Sequence, residues 1–472
     1  MDAHDLFSSC RVGDLEKVQY LVEARDVELN MRDKWDTTPL YYACLCGHEA
    51  LVKYLLENGA KCVANTFDGE RCLYAALNDR IKKLLKNYKM ITSATMRRDL
   101  YDEFLRRLRN DSVYSDAIFQ VGVEKFEVHK CILACRCPQL HERLQKRLEE
   151  RKVVNVKSPQ VDPKSFTLLL DFVYQGHMQV AQENIPTMLL LAEHCGLSQL
   201  QALLEKKLKE KNSFESSKPG VHIEVLSIEN DDCRKKLVAD LSKLADHAVP
   251  SEIEPLMQMP FCPSRKLIYC DLCIMVNDFK FMCHKAFFCL RSDYFKALLR
   301  DHFDENVGGQ VECINLQDIN VDVFKCILYY IYTDNCQLTE EIVFEVLCKA
   351  DMYLLPGLKK LCALFVEDII EKENIFAVLE MSRLFNLPKL EDRCAAFIAE
   401  NLEQVLSDPE MSAIVQEDAQ SVKMREDSDT IDIIDSIRYH ITSQVQTYSE
   451  IETANDKLAI IDDFLDELGL DC

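Results

Sequence analysis

The chain has only 12 glycines and one tryptophan in 472 residues, and it lacks any surplus of basic charge. So few glycines argue against loops that cup a cofactor by close backbone approach. No phosphate-cradling glycine loop, G-x-S-x-G elbow or H-E-x-x-H helix is present. His48-Glu49 and His141-Glu142 each lack the second histidine of a metal-binding helix. Lys and Arg total 56 against 79 Asp and Glu, a net charge of −23. Broad binding to DNA or RNA needs cations that displace phosphate counterions, so no nucleic-acid partner is expected. No run approaches the roughly 18 apolar residues of a membrane span, and no membrane partner is expected. The opening MDAHDLFSSC carries acids at once and no basic segment leading into an apolar core. A signal peptide is therefore not expected, and the location implied is cytoplasmic, with the nucleus also open.

Cysteine, by contrast, is abundant at 22 residues. Most fall at apolar-periodic positions, as at Cys44 and Cys46, where a reduced thiol packs as a small hydrophobe. Cys270-x-x-Cys273 followed by Cys283-His284 is the best zinc candidate. In a strand, however, positions 270 and 273 point to opposite faces. No metal and no cofactor is expected, and catalysis through Cys270 or Cys283 is the weakest class of function.

The most informative feature is a duplication. SDAIFQVGVEKFEVHKCILACRCPQLHERL at 115–144 returns as CDLCIMVNDFKFMCHKAFFCLRSDYFKALL at 270–299. At an offset of 155, Asp116 matches Asp271, Phe126 matches Phe281, His129 matches His284, Lys130 matches Lys285 and Arg136 matches Arg291. The offset then becomes 158, matching Phe166 with Phe324, Tyr174 with Tyr332, Ala192 with Ala350 and Leu200 with Leu358. A unit of roughly 90 residues that keeps its internal order is a duplicated domain rather than a short solenoid repeat. Alternating apolar residues around a turn at Asn277-Asp278 predict a hairpin, followed by helices, a strand near 310–316 and further helices. The copy therefore reads as an α+β domain. His129 and His284 follow a strand and open a helix, a place for buried, hydrogen-bonded histidine.

Residues 1–90 are helical with signals 33 to 34 apart: Gly13 with Gly47, Val18 with Val52, Leu21 with Leu55. Thr38-Pro39-Leu40, Gly47-His48 and Leu55-Leu56-x-x-Gly59-Ala60 resemble the ankyrin repeat, as one complete unit between two partial ones. Trp35 and Tyr41 fall on the finger and near the concave side, the recognition surface of such arrays. The organisation expected is ankyrin repeats at 1–90, a basic helical connector at 91–114 and the first copy at 115–211. A linker with an amphipathic helix follows at 212–266, then the second copy at 267–371. A helical region with one long final helix, about 431–468, fills 372–472. KEKNSFESSKPG at 209–220 has linker composition.

Asp271, Val276, Phe281, His284, Lys285, Arg291, Ser292, Tyr294 and Phe295 together resemble the BTB/POZ pattern. The first copy keeps Asp116, Val121, Phe126, His129, Lys130 and Arg136. The whole order is similar to proteins combining ankyrin repeats with two BTB/POZ domains. The resemblance implies a multidomain α+β fold: an N-terminal ankyrin α-solenoid, two BTB/POZ α+β domains and a C-terminal helical, BACK-like tail. It also implies pairing of BTB domains, within or between chains, with Asp271 and Lys285, and Asp116 and Lys130, in a charged pocket at the interface. It further implies an adaptor that joins cullin-3 to a protein substrate for ubiquitination. Phe303, Asp304 and Glu305 occupy the matching cullin-binding place, and Leu148, Glu149 and Glu150 the counterpart in the first copy. The alternative is a non-ligase oligomeric scaffold or transcriptional or signalling co-regulator.

Overall fold

A computed structural model describes residues 2–23, 27, 29–35, 37–58, 60, 62, 67–87, 100–150, 153–156, 158, 161–217, 223–253, 269–300, 311–423, 431–443 and 448–470. The chain forms two compact units, Met1–Cys336 and Gln337–Cys472.

The first unit opens with three helix pairs: α1 (Asp2–Val12) with α2 (Leu15–Glu23), α3 (Pro39–Cys46) with α4 (Glu49–Glu57), and α5 (Phe67–Ala75) with α6 (Asp79–Asn87). The first helices stack in the order α1, α3, α5 around a core that includes Leu6, Val18, Leu40, Ala43, Leu51, Leu55, Cys72 and Ile81. Thr38 is extended and Pro39 begins α3, where its missing N–H had no helical partner to lose. Gly47 ends α3 at φ 83, and Gly13 takes the equivalent place at φ 87. A Cβ on Gly13 would stand 2.3 Å from the His48 ring, whose Nε2 bonds Arg11 O at 2.9 Å. The third pair forms without Thr-Pro or Gly-His, because Cys72, Ala76, Ile81 and Leu85 supply its buried positions. Gly59 lies outside the described residues.

The first duplicated copy contains α7 (Leu100–Asn110), β1 (Ala117–Val121), β2 (Glu124–Val128), α8 (Lys130–Arg136), α9 (Pro138–Glu150), β3 (Val153–Val156), α10 (Pro163–Gln175), β4 (Met178–Ala181), α11 (Ile185–Cys195) and α12 (Ser198–Ser217). The second begins with β5 (Val225–Ile228) and α13 (Asp231–Ala248). It continues through β6 (Leu272–Val276), β7 (Phe279–Cys283), α14 (Lys285–Arg291), α15 (Asp293–Arg300), β8 (Glu312–Leu316) and α16 (Val321–Thr333). The two sheets have the same order, β2-β1-β3 and β7-β6-β8, antiparallel on one side and parallel on the other. Ala117 pairs with Val128 as Leu272 pairs with Cys283, so the sequence offset is also a register. Phe166 meets Phe126 at 5.1 Å, and Phe324 meets Phe281 at 4.7 Å. Left-handed backbone recurs too: Gly122 with Asn277 in the hairpin turn, and Gly176 with Asp334 after α10 and α16. Asn and Asp tolerate this region by bonding locally, which is why glycine is dispensable there.

Three expectations for this unit are refined. The connector at 91–114 holds α7, whose Tyr101, Phe104, Leu105 and Leu108 are all buried. The linker at 209–220 is instead the end of α12 as far as Ser217; residues 218–220 lie outside the described residues. Polar composition misleads there because Lys211 is buried, its Nζ 2.7 Å from Gln182 Oε1 and 3.2 Å from Glu215 Oε2. Phe214 also packs edge-on against Tyr74 of the third helix pair, at 5.9 Å. The segment 212–266, expected as a linker with an amphipathic helix, carries that helix as α13 and also β5, which pairs antiparallel with β4 of the first copy.

The second unit is helical: α17 (Val343–Met352), α18 (Pro356–Asp368), α19 (Ile375–Leu384), α20 (Pro388–Glu400), α21 (Leu402–Leu406), α22 (Pro409–Lys423), α23 (Asp432–Ser443) and α24 (Tyr448–Leu468). The pair α17–α18 recurs 32 residues later as α19–α20, with Leu355-Pro356, Leu358 and Cys362 matching Leu387-Pro388, Leu390 and Cys394. Arg383 clamps Asp418 through two bonds of 2.9 and 2.8 Å and also meets Glu391 at 2.9 Å. The single final helix expected over 431–468 is two helices packed together, with 444–447 outside the described residues. Ile434, Ile437 and Ile441 bury in α23, which packs on α20, whereas Ile451 is 44% exposed. α24 buries a different set, Ala454, Ile461, Phe464 and Leu465.

Candidate functional site

The two copies face each other within one chain and exchange their leading helices. α7 packs on α10 of its own copy and on α14 of the second. α13 packs on α16 and β7 of its own copy and on α8 of the first. The helix ahead of each domain thus buries its apolar stripe across the pair, which the spacing of Tyr101, Phe104, Leu105 and Leu108 makes possible. Tyr101 donates its hydroxyl to Tyr332 O at 2.6 Å, a buried bond from one copy to the other. Asp102 of α7 and Arg234 of α13 join the two exchanged helices at 2.6 Å.

Equivalent arginines hold these helices by different chemistry. Arg136 donates to Val173 O at 2.9 Å and to Asp240 Oδ2 of α13 at 2.8 Å, with both side chains almost fully buried. Burial alone would raise the Asp240 pKa. Bonds from Lys243 and Lys236 and the Arg136 charge outweigh it and hold this carboxyl below its ordinary value. Arg291 instead lies over the rings of Tyr101 at 5.1 Å and Phe104 at 5.4 Å on α7, and bonds Asp334 of its own copy. One helix offers a carboxylate to its arginine, the other offers aromatic faces.

The residues expected in a charged pocket bond within their own copies. Asp116 Oδ1 accepts the Lys130 backbone N–H at 2.7 Å, and Asp271 Oδ1 accepts that of Lys285 at 2.8 Å. Each aspartate therefore satisfies an otherwise orphaned donor in the first turn of a helix. Lys285 Nζ reaches the buried Glu312 at 2.6 Å. His129 donates its backbone N–H to Tyr174 Oη at 2.9 Å, its Nδ1 lies 3.0 Å from the same oxygen, and its Nε2 lies 2.9 Å from Val113 O. His284 repeats the pattern with Tyr332 at 3.1 and 2.7 Å. Burial lowers the His129 pKa, although the bond to Val113 and the charges of Asp116 and Asp271 oppose it. The charges of both Asp116 and Asp271 reach His129, because the two copies meet closely there. Burial raises Asp116 and Asp271.

Sequence reasoning missed a pair of crossing tyrosines. Tyr114 and Tyr269 are 155 apart and both left-handed, at φ 65 and 56. Tyr269 meets His141 of the first copy at 2.8 Å and lies under Lys130, while Tyr114 bonds the Cys289 thiol of the second. The repeated Tyr-x-Asp was the available signal. Cys270 Sγ lies 3.2 Å from Met282 O and 4.0 Å from His284 Nε2. Cys273 pairs in register with Cys313 on the neighbouring strand. Burial pushes the Cys273 thiol up to about 11 and the Cys283 thiol well above its ordinary value, so both are poor nucleophiles at neutral pH.

Phe303, Asp304 and Glu305 lie outside the described residues. Leu148, Glu149 and Glu150 form the last turn of α9, just ahead of β3. Trp35 is 59% exposed in the turn before α3, with Lys34 Nζ 4.2 Å over its ring. Tyr41 is half-buried at the start of α3, edge-on to Tyr42 at 5.6 Å and beneath Arg71. No helix among the described residues is long and apolar enough to cross a membrane.

The BTB/POZ domain family matches residues 105–212 and 262–370, and ankyrin repeats, in three copies, match residues 6–93. "BTB/POZ domain-containing protein 3" of Schizosaccharomyces pombe is 30% identical, covering 99% of this chain and 89% of that protein. An ankyrin repeat-containing protein of Saccharomyces cerevisiae is 28% identical, over 93% of this chain and 88% of that one. Kelch-like protein 40 of Xenopus tropicalis is 29% identical over 21% of this chain and 16% of that protein. The solved BTB domain of human gigaxonin is 26% identical, covering 25% of this chain and 92% of that one, at a TM-score of 0.19. Ankyrin repeats and BTB/POZ domains are interaction modules, and with them in this order the chain belongs to the ankyrin-repeat BTB/POZ-domain proteins, adaptors that bind other proteins.

Proposed function

We propose that the chain is a substrate adaptor of a cullin-3 ubiquitin ligase, built as a BTB pair within one polypeptide. The ankyrin face holds the target, and the segment containing Phe303, Asp304 and Glu305 meets the cullin. An apolar anchor beside an orienting carboxylate is a common arrangement at an interface centre. Leu148, Glu149 and Glu150 offer a second contact of the same type.

The buried Arg136–Asp240 bond carries this reading over that of an oligomeric scaffold. A scaffold assembled by BTB pairing needs that face free for another chain. Here α13 occupies it in one copy and α7 in the other. Pairing between two first copies would bring Tyr101 and Phe104 to Arg136 in place of Asp240, leaving a buried charge without its carboxylate. That loss is severe, about 3–5 kcal/mol for a broken buried pair. The cytoplasm is the proposed location.

The test is affinity for the cullin-3 N-terminal domain, wild type against the double variant Phe303→Ala with Glu305→Lys. The reading expects binding that the double variant loses while circular dichroism stays unchanged. Absence of binding by wild type would remove the ligase role. Binding indifferent to the double variant would shift the contact to Leu148, Glu149 and Glu150.

A further inference from the structure

Three cations sit on three aromatic rings along the ankyrin face. Arg11 of α1 lies 4.2 Å over Tyr42, Lys34 lies 4.2 Å over Trp35, and Arg71 of α5 lies 5.1 Å over Tyr41. The groups form one connected patch. Tyr41 and Tyr42 touch edge-on, and Tyr42 Oη donates to Asp33 Oδ2 at 2.7 Å. Asp33 Oδ1 accepts the backbone N–H groups of Trp35 and Thr37, and Arg71 donates to Thr37 Oγ1 at 3.2 Å. The patch thus runs from the finger across the first helices of all three pairs.

We infer that this patch binds an acidic peptide segment of a partner protein, with carboxylates on Arg11, Lys34 and Arg71 and apolar side chains on Trp35 and the tyrosines. A guanidinium held over a ring has N–H donors left for a carboxylate beyond those its neighbours take. The ring fixes the cation beforehand, so less side-chain freedom is lost on binding. Charge is the second argument. Residues 1–90 hold 14 acidic and 13 basic residues, so they carry no general basic excess, yet this patch joins three cations to the single carboxylate of Asp33. This rests on the ankyrin face being the recognition surface; its test involves no cullin, so either reading can fail alone.

Trp35 is the only tryptophan, so emission excited selectively at tryptophan, beyond the absorption of the 17 tyrosines, reports on this patch. The probe is a short synthetic peptide of Glu and Asp interspersed with Leu and Phe, against the same peptide carrying Gln and Asn. The acidic peptide is expected to shift the emission saturably, and the amide peptide to leave it unchanged. Affinity should fall about tenfold as salt is raised through the range that screens exposed charges. Lys34→Glu, in an exposed turn, and Arg11→Glu should each weaken binding by a similar factor. Equal response to both peptides overturns the inference, as does undiminished binding in both variants with circular dichroism unchanged. Residues 337–472 hold 30 acidic and 11 basic residues, so the chain has acids of its own. Emission that changes with salt alone, with no response to peptide, would assign the patch to them and also overturn it.

Discussion

At the scale of single residues, Arg136 and Asp240 matter because both are almost fully buried and neither has water to fall back on. Asp240→Ala strands the guanidinium, along with the bonds from Lys236 and Lys243. The expected loss is about 3–5 kcal/mol in urea or guanidinium denaturation. Replacing both by apolar residues of similar size should cost far less, because no charge remains unpaired. Acid acts on the same interface through groups of opposite sign. His129 has a folded pKa below the ordinary 6.5, so the unfolded chain takes that proton first. Its contribution is intact above 6.5 and withdrawn as pH falls below it. Asp240, held below the ordinary 3.8, contributes above that value and loses its contribution as pH falls through the folded one. Asp116 and Asp271, raised by burial, work the other way and are relieved as they protonate above 3.8. Thermal melts from about pH 7 to 5 should therefore show a decline that His129→Asn flattens; an unchanged slope would remove His129 as its source.

At the scale of elements, the exchanged helices and the buried end of α12 are the parts to perturb. Tyr101→Phe removes the bond to Tyr332 O across the copies and should cost about 1–3 kcal/mol, since the carbonyl stays buried. Lys211→Ala should loosen the end of α12, read as faster amide exchange over residues 209–217 than over Ser198–Leu204. The sequence made the two sheets legible down to register, because Asp116, Phe126 and His129 recur 155 residues on with no gap. It did not reveal the exchange. α7 and α13 carry no shared motif, and whether a buried face meets its own domain or a neighbour is not a periodic signal. The end of α12 was hidden for a different reason. Lysines and serines lower helix expectation, and only the partners Gln182, Glu215 and Tyr74, remote or one turn on, fix that segment as helix. The positions proposed to meet a cullin were legible only as short motifs, and Phe303, Asp304 and Glu305 fall outside the described residues.

At the scale of the whole molecule, the duplication gives a chain with two BTB domains that differ where they touch. An interface between identical surfaces is isologous, each patch meeting its own copy. Here the patches have diverged, so that Arg136 needs the Asp240 carboxylate and Arg291 lies on the Tyr101 and Phe104 rings. Such divergence opposes pairing of like copies by leaving a buried charge unmatched, a specificity achieved by penalising the wrong partner. The consequence is an adaptor that completes a BTB pair without a second chain. Sedimentation equilibrium of the full-length protein over a wide range of concentration tests this most directly. The account predicts the mass of one chain throughout. A two-chain mass that falls to one chain in Asp240→Ala would contradict it, because the helices would then be exchanged between molecules.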